Sequence, residues 1–336
     1  MSSPAKKSPR STSASSARRQ PPAKSASRPS GSRPSGSAVS KKGAAEKSAT
    51  KEASKTAAKA PKKAAHRSKP VVKKPKYTAK TADKHELYQL SVQAPDHEIE
   101  FVDQIFRTRF KRRPLTLRED FCGTALLCAA WVKSNAERTA TGVDIDGPTL
   151  DWGRAHNLAP LGDAAKRITL LQEDVRKPRK ARFDVINALN FSYWIFTTRD
   201  SLRAYFEVVR KGLGPQGMFV LDAYGGWESQ QPMLEPRRIA AGFTYVWDQD
   251  QFCPISHAVT NYIHFEFKDG TKLEKAFTYE WRFWSLPEIT ELLREAGFGD
   301  VRVHWDVAGD DEEEHYKVLG RAENQPGWLV YVTASN

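Results

Sequence analysis

The stretch LREDFCGTA, residues 117–125, decides how the rest of this sequence is interpreted. It extends an apolar run that begins at Leu115, ends in two acids and a Cys-Gly-Thr turn, and leads at once into a strongly helical segment. Open α/β sheets form ligand sites where a strand breaks at a glycine into a helix, because the strand's carboxyl end meets the helix N-terminus there. The pattern therefore predicts a strand, a turn and a helix, with a ligand site at the turn.

The charge of this turn indicates which class of ligand it could hold. Glu119 and Asp120 would repel a phosphate, and the turn contains one glycine where dinucleotide and P-loop fingerprints need two or three. A ligand that carries positive charge and hydroxyl groups fits better, and S-adenosylmethionine is such a ligand. A buried strand-to-helix turn without a ligand is the alternative.

The segment resembles motif I of the class I S-adenosylmethionine-dependent methyltransferases, in which an acidic residue and two further residues precede Cys-Gly-Thr-Gly. The resemblance implies that Glu119 serves the methionine end of the cofactor and that Gly123 allows close backbone approach. Two positions depart from the motif, because Phe121 stands where glycine is common and Ala125 replaces the last glycine. Cofactor contacts are implied along the turn, from Glu119, Phe121, Cys122, Gly123 and Thr124.

Two further predicted strands end in acidic residues. Residues 141–146 (TGVDID) precede a Gly-Pro pair that opens a helix, and a carboxylate at the end of a second strand can accept both hydroxyls of a ribose. The resemblance implies that Asp144 and Ile145 hold the adenosyl group, and that Asp174 and Val175 hold the adenine ring. One such acidic end is typical of a helix cap or a solvated loop. Three in succession favour the cofactor site.

The N-terminal segment differs in composition from the rest of the chain. Residues 1–80 contain 22 Lys plus Arg against Glu46 and Glu52, a net charge of +20. Because the whole chain carries +13, residues 81–336 carry −7. Residues 1–76 contain no aromatic side chain, and such a segment cannot bury enough apolar surface to offset its chain entropy. We therefore predict a disordered basic tail over residues 1–83.

The tail resembles the tails of linker histones in composition. Its charge predicts non-specific DNA or RNA contact through residues 1–80, by phosphate neutralisation and counterion release. A solubilising extension, a nuclear address at Lys73-Lys74-Pro75-Lys76 and an organelle transit peptide are the alternatives.

Cysteine usage and hydropathy bear on the compartment. The three cysteines, Cys122, Cys128 and Cys253, are widely spaced and show neither metal-ligand spacing nor a disulfide framework. We therefore expect no metal and a reducing compartment. The sequence contains no secretory signal and no apolar stretch of membrane-spanning length. The expectation is a cytoplasmic protein without membrane contact, or a nuclear or nucleoid-associated one if the tail binds nucleic acid; the oligomeric state is left open.

Residues 84–336 are predicted to form one α/β domain, a Rossmann-like methyltransferase sheet of seven strands. Alternating strands and helices imply a parallel sheet with helices on both faces. The resemblance implies that the last strand enters antiparallel. The predicted strands are 115–121, 140–144, 168–173, 183–189, 217–223, 300–306 and 327–334. The predicted helices are 125–135, 148–158, 199–213 and 286–296, after a largely helical segment at 84–110.

Between residues 225 and 285 the alternation stops. Three strand-like runs follow, at 243–247, 261–267 and 275–284, and Lys-Asp-Gly at 268–270 is a strong hairpin signal. We predict an antiparallel β insertion after the fifth strand, which would cap the substrate. The pattern YEWRFWS at 279–285 is similar to one found in methyltransferases of small molecules. Its aromatic residues predict either cross-strand packing or a pocket for a planar or cationic acceptor, and both can hold on opposite faces.

Methyl transfer needs no universal catalytic residue, because the enzyme mainly aligns the nucleophile and excludes water. The alternation places Trp281 and Arg282 on opposite faces, so only one of them can point directly into a pocket. Asn190, after the fourth strand, is a candidate for the methionine end of the cofactor. The candidate substrate contacts are Tyr193, Trp281 and Arg282. The candidate bases are Asp222, Tyr224, His257 and, less favoured, His264.

The sequence therefore predicts S-adenosylmethionine-dependent methyl transfer to a small-molecule acceptor, with a tail that contacts nucleic acid. One alternative is an RNA or chromatin-protein methyltransferase that uses the tail for substrate affinity. The other is a non-catalytic nucleic-acid-binding protein on a methyltransferase fold.

Overall fold

The computed structural model describes residues 76–307 and 316–336. Most of the predicted disordered tail lies outside these residues, but its last eight residues lie within them. Tyr77 is 4% exposed, with its ring 5.5 Å from that of Phe243, and the Asp83 carboxylate caps the first helix by accepting the His85 N–H at 2.8 Å. Residues before the predicted domain start at 84, namely Tyr77, Ala79 and Ala82, thus pack on the insertion.

The described residues contain six α-helices, one short π-helix (Arg154–Leu158), two 3-10 helices (Ala159–Arg167 and Ser192–Ile195) and twelve strands. The helices are α1 (Lys84–Val92), α2 (Pro95–Phe110), α3 (Leu126–Ser134), α4 (Gly147–Gly153), α5 (Arg199–Gly212) and α6 (Leu286–Glu295). The first six strands are β1 (Thr116–Asp120), β2 (Thr139–Asp144), β3 (Ile168–Gln172), β4 (Phe183–Ala188), β5 (Leu213–Gly225) and β6 (Met233–Ile239). The others are β7 (Phe243–Phe252), β8 (Ala258–Phe267), β9 (Lys272–Arg282), β10 (Asp300–Asp306), β11 (Tyr316–Val318) and β12 (Trp328–Ser335).

The main sheet has the order β11-β10-β12-β5-β4-β1-β2-β3. Strands β1 to β5 are parallel to their neighbours, whereas β12 pairs antiparallel with β5 and β10. All seven predicted strands are present, which confirms the α/β class and the antiparallel last strand. The three-residue strand β11 adds an eighth at the edge. The parallel pairing brings the carboxyl ends of β1, β2 and β4 to one edge of the sheet.

The insertion after β5 forms a separate antiparallel sheet of order β6-β7-β8-β9. The three predicted strands and the hairpin between β8 and β9 are confirmed. The first strand, β6, was missed because Pro236 and the charged residues around it do not read as a strand. Proline is tolerated there because β6 is an edge strand that pairs only with β7.

Apolar side chains fill both faces of the main sheet. One cluster packs α5 and α6 against one face, and a second packs α2 and α3 against the other. A third cluster lies on the insertion sheet and includes Tyr77 and Leu87. The predicted helical segment 84–110 is divided before Pro95, which occupies the first position of α2. Among the described helices, none is long and apolar enough to cross a membrane.

A buried ion pair fixes the end of β1. The Arg118 guanidinium donates to both carboxylate oxygens of Asp120, at 2.7 and 2.9 Å, and the two side chains are 1% and 0% exposed. Arg118 also donates to the Val175 carbonyl at 2.7 Å, and the Tyr205 hydroxyl donates to Asp120 at 2.9 Å. The pair thus joins β1 to the loop after β3 and to α5.

We predict that Asp120→Ala lowers the free energy of unfolding by about 3–5 kcal/mol, because it leaves the Arg118 charge buried without a partner. Urea denaturation of the full chain measures this. The matched control is Asp163→Ala, which removes an exposed partner of Lys166 and should leave stability unchanged. Equal stability of the two variants would contradict the role given to the buried pair.

Candidate functional site

The turn after β1 is built from residues with left-handed backbone conformation. Phe121, Gly123 and Ala125 have φ values of 57°, 51° and 55°. The two positions at which this sequence lacks the glycines common in motif I are thus positions where a side chain is strained. The turn keeps the conformation that glycine would favour, because its neighbours hold it in place.

Helix α1 on one side, and α4 with the π-helix that follows it on the other, hold this turn at Thr124. The Gln89 side chain donates to the Thr124 hydroxyl at 2.7 Å, and Asn157 donates to the Thr124 carbonyl at 2.8 Å. A Cβ at Gly153 would lie 2.3 Å from the same carbonyl, so only glycine allows this approach. The position of the turn is therefore set by packing on two sides.

Asp144 ties the end of β2 to the same turn. Its carboxylate accepts the Gly123 N–H at 2.7 Å through one oxygen and the Asp146 N–H at 2.9 Å through the other. Each oxygen keeps a further lone pair, which can accept a ligand hydroxyl. Ile145, the next residue, is 72% exposed and presents an apolar surface beside the carboxylate.

Glu119 is a buried carboxyl group without a cationic partner. It is 8% exposed and accepts the Cys128 N–H at 3.1 Å, and no ion pair within residues 76–307 and 316–336 engages it. Burial raises the pKa of Glu119 to about 8, and the charges of Glu98 and Asp144 raise it further. A positively charged ligand group at this position would stabilise the ionised carboxylate.

Asp174 and Val175 lie in the loop after β3. The Arg176 guanidinium donates to both Asp174 oxygens, with a shortest distance of 2.6 Å, and this hydrogen bonding lowers the pKa of Asp174. The Arg176 guanidinium also lies 5.1 Å from the centre of the Phe196 ring. Asp174 is therefore paired within the protein, while Val175 is anchored through its carbonyl by Arg118.

Asp222, a candidate base by sequence, supports the turn after β4. Its fully buried carboxylate accepts the N–H groups of Asn190 and Phe191, both at 2.9 Å, and both residues have φ of 58°. The Tyr193 hydroxyl donates to the Asp222 carbonyl at 2.9 Å and its side chain is fully buried. Asp222 and Tyr193, predicted as a base and as a substrate contact, thus both hold this turn in the structure.

A cavity of about 390 Å³ lies between the end of α1, the turn after β4 and the insertion sheet. Aromatic residues are the largest group in its lining, which also contains one carboxylate and two guanidinium groups. The lining residues are Tyr88, Ser91, Val92, Asn190, Phe191, Tyr224, Glu235, Pro236, Arg237, Arg238, Tyr245, Trp247, Ile263, Tyr279, Trp281 and Leu329.

The aromatic rings of the cavity contact one another in series. Ring centres are 4.4 Å apart for Tyr279 and Trp281, 5.9 Å for Trp247 and Tyr279, and 6.5 Å for Tyr224 and Trp247. Burial raises the pKa of the Tyr224 hydroxyl, which therefore stays protonated at neutral pH. Trp281 and Tyr224 both lie in the cavity wall. The Tyr224 hydroxyl is protonated, and in that state it is a poor base.

Arg282, His257 and His264 lie outside the cavity lining. The Arg282 guanidinium donates to Glu288 at 2.8 Å and lies 3.8 Å from the centre of the Trp284 ring, so it joins β9 to α6. His264 is 3.0 Å from Asp248. His257 occupies the turn between β7 and β8, next to Phe252. Arg282 and His257, predicted as a substrate contact and a base, are therefore not among the residues that line this cavity.

Sequence reasoning missed Glu235 and the contribution of α1. Glu235 went unnoticed because β6 was not recognised as a strand. Once β6 is assigned, alternation places Glu235 and Arg237 on one face. Tyr88 and Ser91 carry no sequence signal, since their place in the cavity depends on how α1 packs. In the described part of the chain, no group of three His, Cys, Asp or Glu side chains could hold a metal ion.

No protein-family model matches this sequence, and no curated protein sequence matches it either. Solved structures do match. The CcbJ methyltransferase of Streptomyces caelestis is 15% identical with a TM-score of 0.54, over 73% of this chain and 92% of its own. An S-adenosylmethionine-dependent methyltransferase of Clostridium acetobutylicum is 17% identical with a TM-score of 0.54, over 75% and 97%. CalS10 of Micromonospora echinaspora is 14% identical with a TM-score of 0.53, over 75% and 96%.

The chain has the class I methyltransferase fold. The resemblance found in motif I thus extends to the whole described domain, including the strand order. In this fold the turn after β1 and the ends of β2 and β3 share one edge of the sheet with the turn after β4. The predicted cofactor residues and the aromatic cavity therefore lie along the same edge.

The raised pKa of Glu119 predicts a pH-dependent loss of stability. The folded state holds a proton between pH 4.5 and about 8 that the unfolded state releases, so the contribution of Glu119 to stability falls as pH rises through this window. Glu119→Gln removes this loss. We expect the free energy of unfolding of Glu119→Gln, relative to that of the unsubstituted protein, to rise by a few kcal/mol from pH 5 to pH 8. The rise is at most ~1.4 kcal/mol per pH unit, and urea denaturation measures it.

The control is Glu291→Gln on the exposed face of α6, whose stability difference should not vary over the same pH range. If the Glu119→Gln and unsubstituted curves run parallel from pH 5 to pH 8, Glu119 is ionised in the folded protein and the argument from burial is wrong.

Proposed function

We propose that this protein is an S-adenosylmethionine-dependent methyltransferase that acts on a small molecule. The observation that carries the proposal is the arrangement of Glu119 and Asp144 at the turn after β1, on the same sheet edge as the aromatic cavity. Two structures of the same fold support it. CalS10 is described as an amino pentose methyltransferase with the cofactor bound, and KedS8 as a sugar N-methyltransferase.

The charges of the site complement those of the cofactor. The Glu119 carboxylate pairs with the ammonium group of the methionine end, which stabilises its ionised form. The Asp144 carboxylate accepts the ribose hydroxyls with the lone pairs that Gly123 and Asp146 leave unused. Ile145 covers one face of the adenine ring. Asp174 can accept the adenine amino group once the Arg176 side chain turns away from it.

The remaining turn residues, Phe121, Cys122, Gly123 and Thr124, form the wall against the cofactor. Asn190 and Phe191 border both the cofactor turn and the aromatic cavity. They follow β4, which lies next to β1 in the sheet, and they line the cavity. The acceptor would therefore enter the cavity and meet the cofactor at this turn. The insertion sheet covers the acceptor as a cap.

Methyl transfer requires little chemical participation by protein side chains. A lone pair of the acceptor would attack the sulfonium methyl group, and the S–CH₃ bond would break with its electron pair left on sulfur, giving S-adenosylhomocysteine. The positive charge would pass to the methylated atom, which keeps it as an ammonium group or, in a hydroxyl acceptor, loses a proton to solvent. The protein contributes alignment of the nucleophile and exclusion of water. The aromatic walls provide both, since they are apolar and packed against one another.

The size of the cavity favours a small acceptor. A volume of about 390 Å³ lies within the range of small-molecule sites, roughly 300–1,000 Å³, and residues 81–336 carry a net charge of −7 that disfavours nucleic acid. The basic tail supports a separate, non-specific contact with DNA or RNA. An RNA or chromatin-protein substrate held by the tail is the second candidate function.

For the first test we expect the full chain to bind S-adenosylmethionine in isothermal titration calorimetry. Asp144→Ala should weaken binding by about 1–3 kcal/mol, because the ribose hydroxyls lose a charged acceptor. Asp151→Ala, an exposed acid on α4, is the matched control and should bind as the unsubstituted protein does. Absence of heat at millimolar cofactor with a folded protein would refute the proposed function.

For the second test we expect the full chain to retard DNA and RNA of any sequence in gel-shift experiments, with affinity that falls steeply with salt. A chain shortened to residues 76–336 should not, because removing residues 1–75 removes a net charge of +18 and leaves −5. Retardation by the shortened chain would favour the nucleic-acid substrate over the small molecule.

A further inference from the structure

Glu235 provides the one carboxylate among the residues that line the aromatic cavity. It lies on β6, directly opposite Trp247 of β7, and the alternation of β6 turns it to the same side as Arg237. Within residues 76–307 and 316–336, neither a hydrogen bond nor an ion pair engages its side chain. A half-buried carboxylate in such surroundings is costly unless a ligand partner completes it.

The positively charged Arg237 lies near Glu235 but binds other groups. The Arg237 guanidinium donates to the Ser91 carbonyl at the end of α1 and lies 5.1 Å from the centre of the Tyr245 ring. Arg237 therefore joins β6 to α1. Its charge acts on Glu235 only as the weakest of the identified influences.

Burial raises the pKa of Glu235 to about 7, and the negative charge of Glu228 raises it further against the opposing effect of Arg237. The carboxyl group is thus close to half-ionised at neutral pH. A cation bound beside it would hold it in the charged form, because an opposite charge at short range favours ionisation.

The rest of the lining is also suited to a cation. Tyr224, Trp247, Tyr279 and Trp281 present aromatic rings, whose faces attract desolvated cations. An alcohol could donate a hydrogen bond to the carboxylate but would gain no pairing of opposite charges, and a carboxylate would be repelled by it.

We propose that the acceptor carries an amino group, bound as a cation by the Glu235 carboxylate among the aromatic rings of this cavity. When this nitrogen is the methylated atom, its proton passes to the Glu235 carboxylate before transfer, which frees the lone pair. The inference rests on the proposed function, because it assigns a substrate class to the acceptor cavity of that function. Glu235 acts here as a specificity-determining residue, and binding can be measured without turnover. An acidic acceptor held by Arg237 or Arg238 is the outcome that would exclude it.

The test compares three probes of similar shape, namely phenethylamine, 2-phenylethanol and phenylacetate, by calorimetry on the full chain. We expect phenethylamine to bind about tenfold or more tightly than the alcohol, since a hydrogen bond to a charged group is involved. Glu235→Gln keeps the size of the side chain and should remove this preference while leaving the affinity for 2-phenylethanol unchanged. Glu280→Gln, on an exposed position of β9, is the matched control and should change neither.

A pH series adds a readout that a merely structural role would not give. Affinity for phenethylamine should fall as pH is lowered from 8 to 6, because Glu235 becomes protonated, and Glu235→Gln should flatten this dependence. The other groups that face Glu235 are Glu228, Arg237, Tyr224 and Tyr245. The arginine stays charged and both tyrosines stay protonated over this range, because burial raises their pKa values.

The inference is overturned if no amine binding occurs at millimolar concentration, if phenylacetate binds most tightly, or if Glu235→Gln leaves the amine preference intact in a folded protein. Titration with S-adenosylmethionine separates this failure from that of the proposed function. Cofactor binding without amine preference rejects only the inference, whereas absence of cofactor binding rejects the proposed function.

Discussion

The structure depends on the buried pair of Arg118 and Asp120 at the end of β1. Two charges taken out of water are stable only when their hydrogen-bonding capacity is filled, and here Tyr205 and the Val175 carbonyl complete it. These four groups belong to β1, α5 and the loop after β3. The pair therefore sets the position of the strand end from which the candidate cofactor turn begins.

The alternation of β1 gives its two consecutive acids opposite roles. Asp120 lies on the face of the ion pair, while Glu119 lies on the other face, where it meets the N–H of Cys128 in α3 and no cation. The sequence predicts that an acidic strand end precedes the turn. It does not reveal which acid is neutralised within the protein, because this depends on partners that are remote in the chain, such as Tyr205.

Features that depend on local sequence could be predicted, whereas those that depend on remote partners could not. Hydrophobic periodicity and turn residues predict the βα alternation and the hairpin at Gly270, since these are local. Asp222 and Arg282 are candidate site residues by sequence. In the structure Asp222 accepts hydrogen bonds from the turn after β4 and Arg282 donates to Glu288, because polar groups removed from water need partners. Glu235 escaped notice for the opposite reason, because an edge strand that contains proline has no strand-like pattern.

The turn after β4 connects the aromatic cavity with the turn after β1. Asn190 and Phe191 both adopt left-handed backbone conformation, which is costly for residues with a side chain, and two hydrogen bonds to the buried Asp222 hold them there. Strain of this kind persists only where the surroundings determine the conformation fully. The same two residues line the aromatic cavity and follow the strand next to β1. A displacement of this turn would therefore move the cavity wall relative to the Glu119 and Asp144 carboxylates, so the buried Asp222 keeps the aromatic cavity in register with the turn after β1.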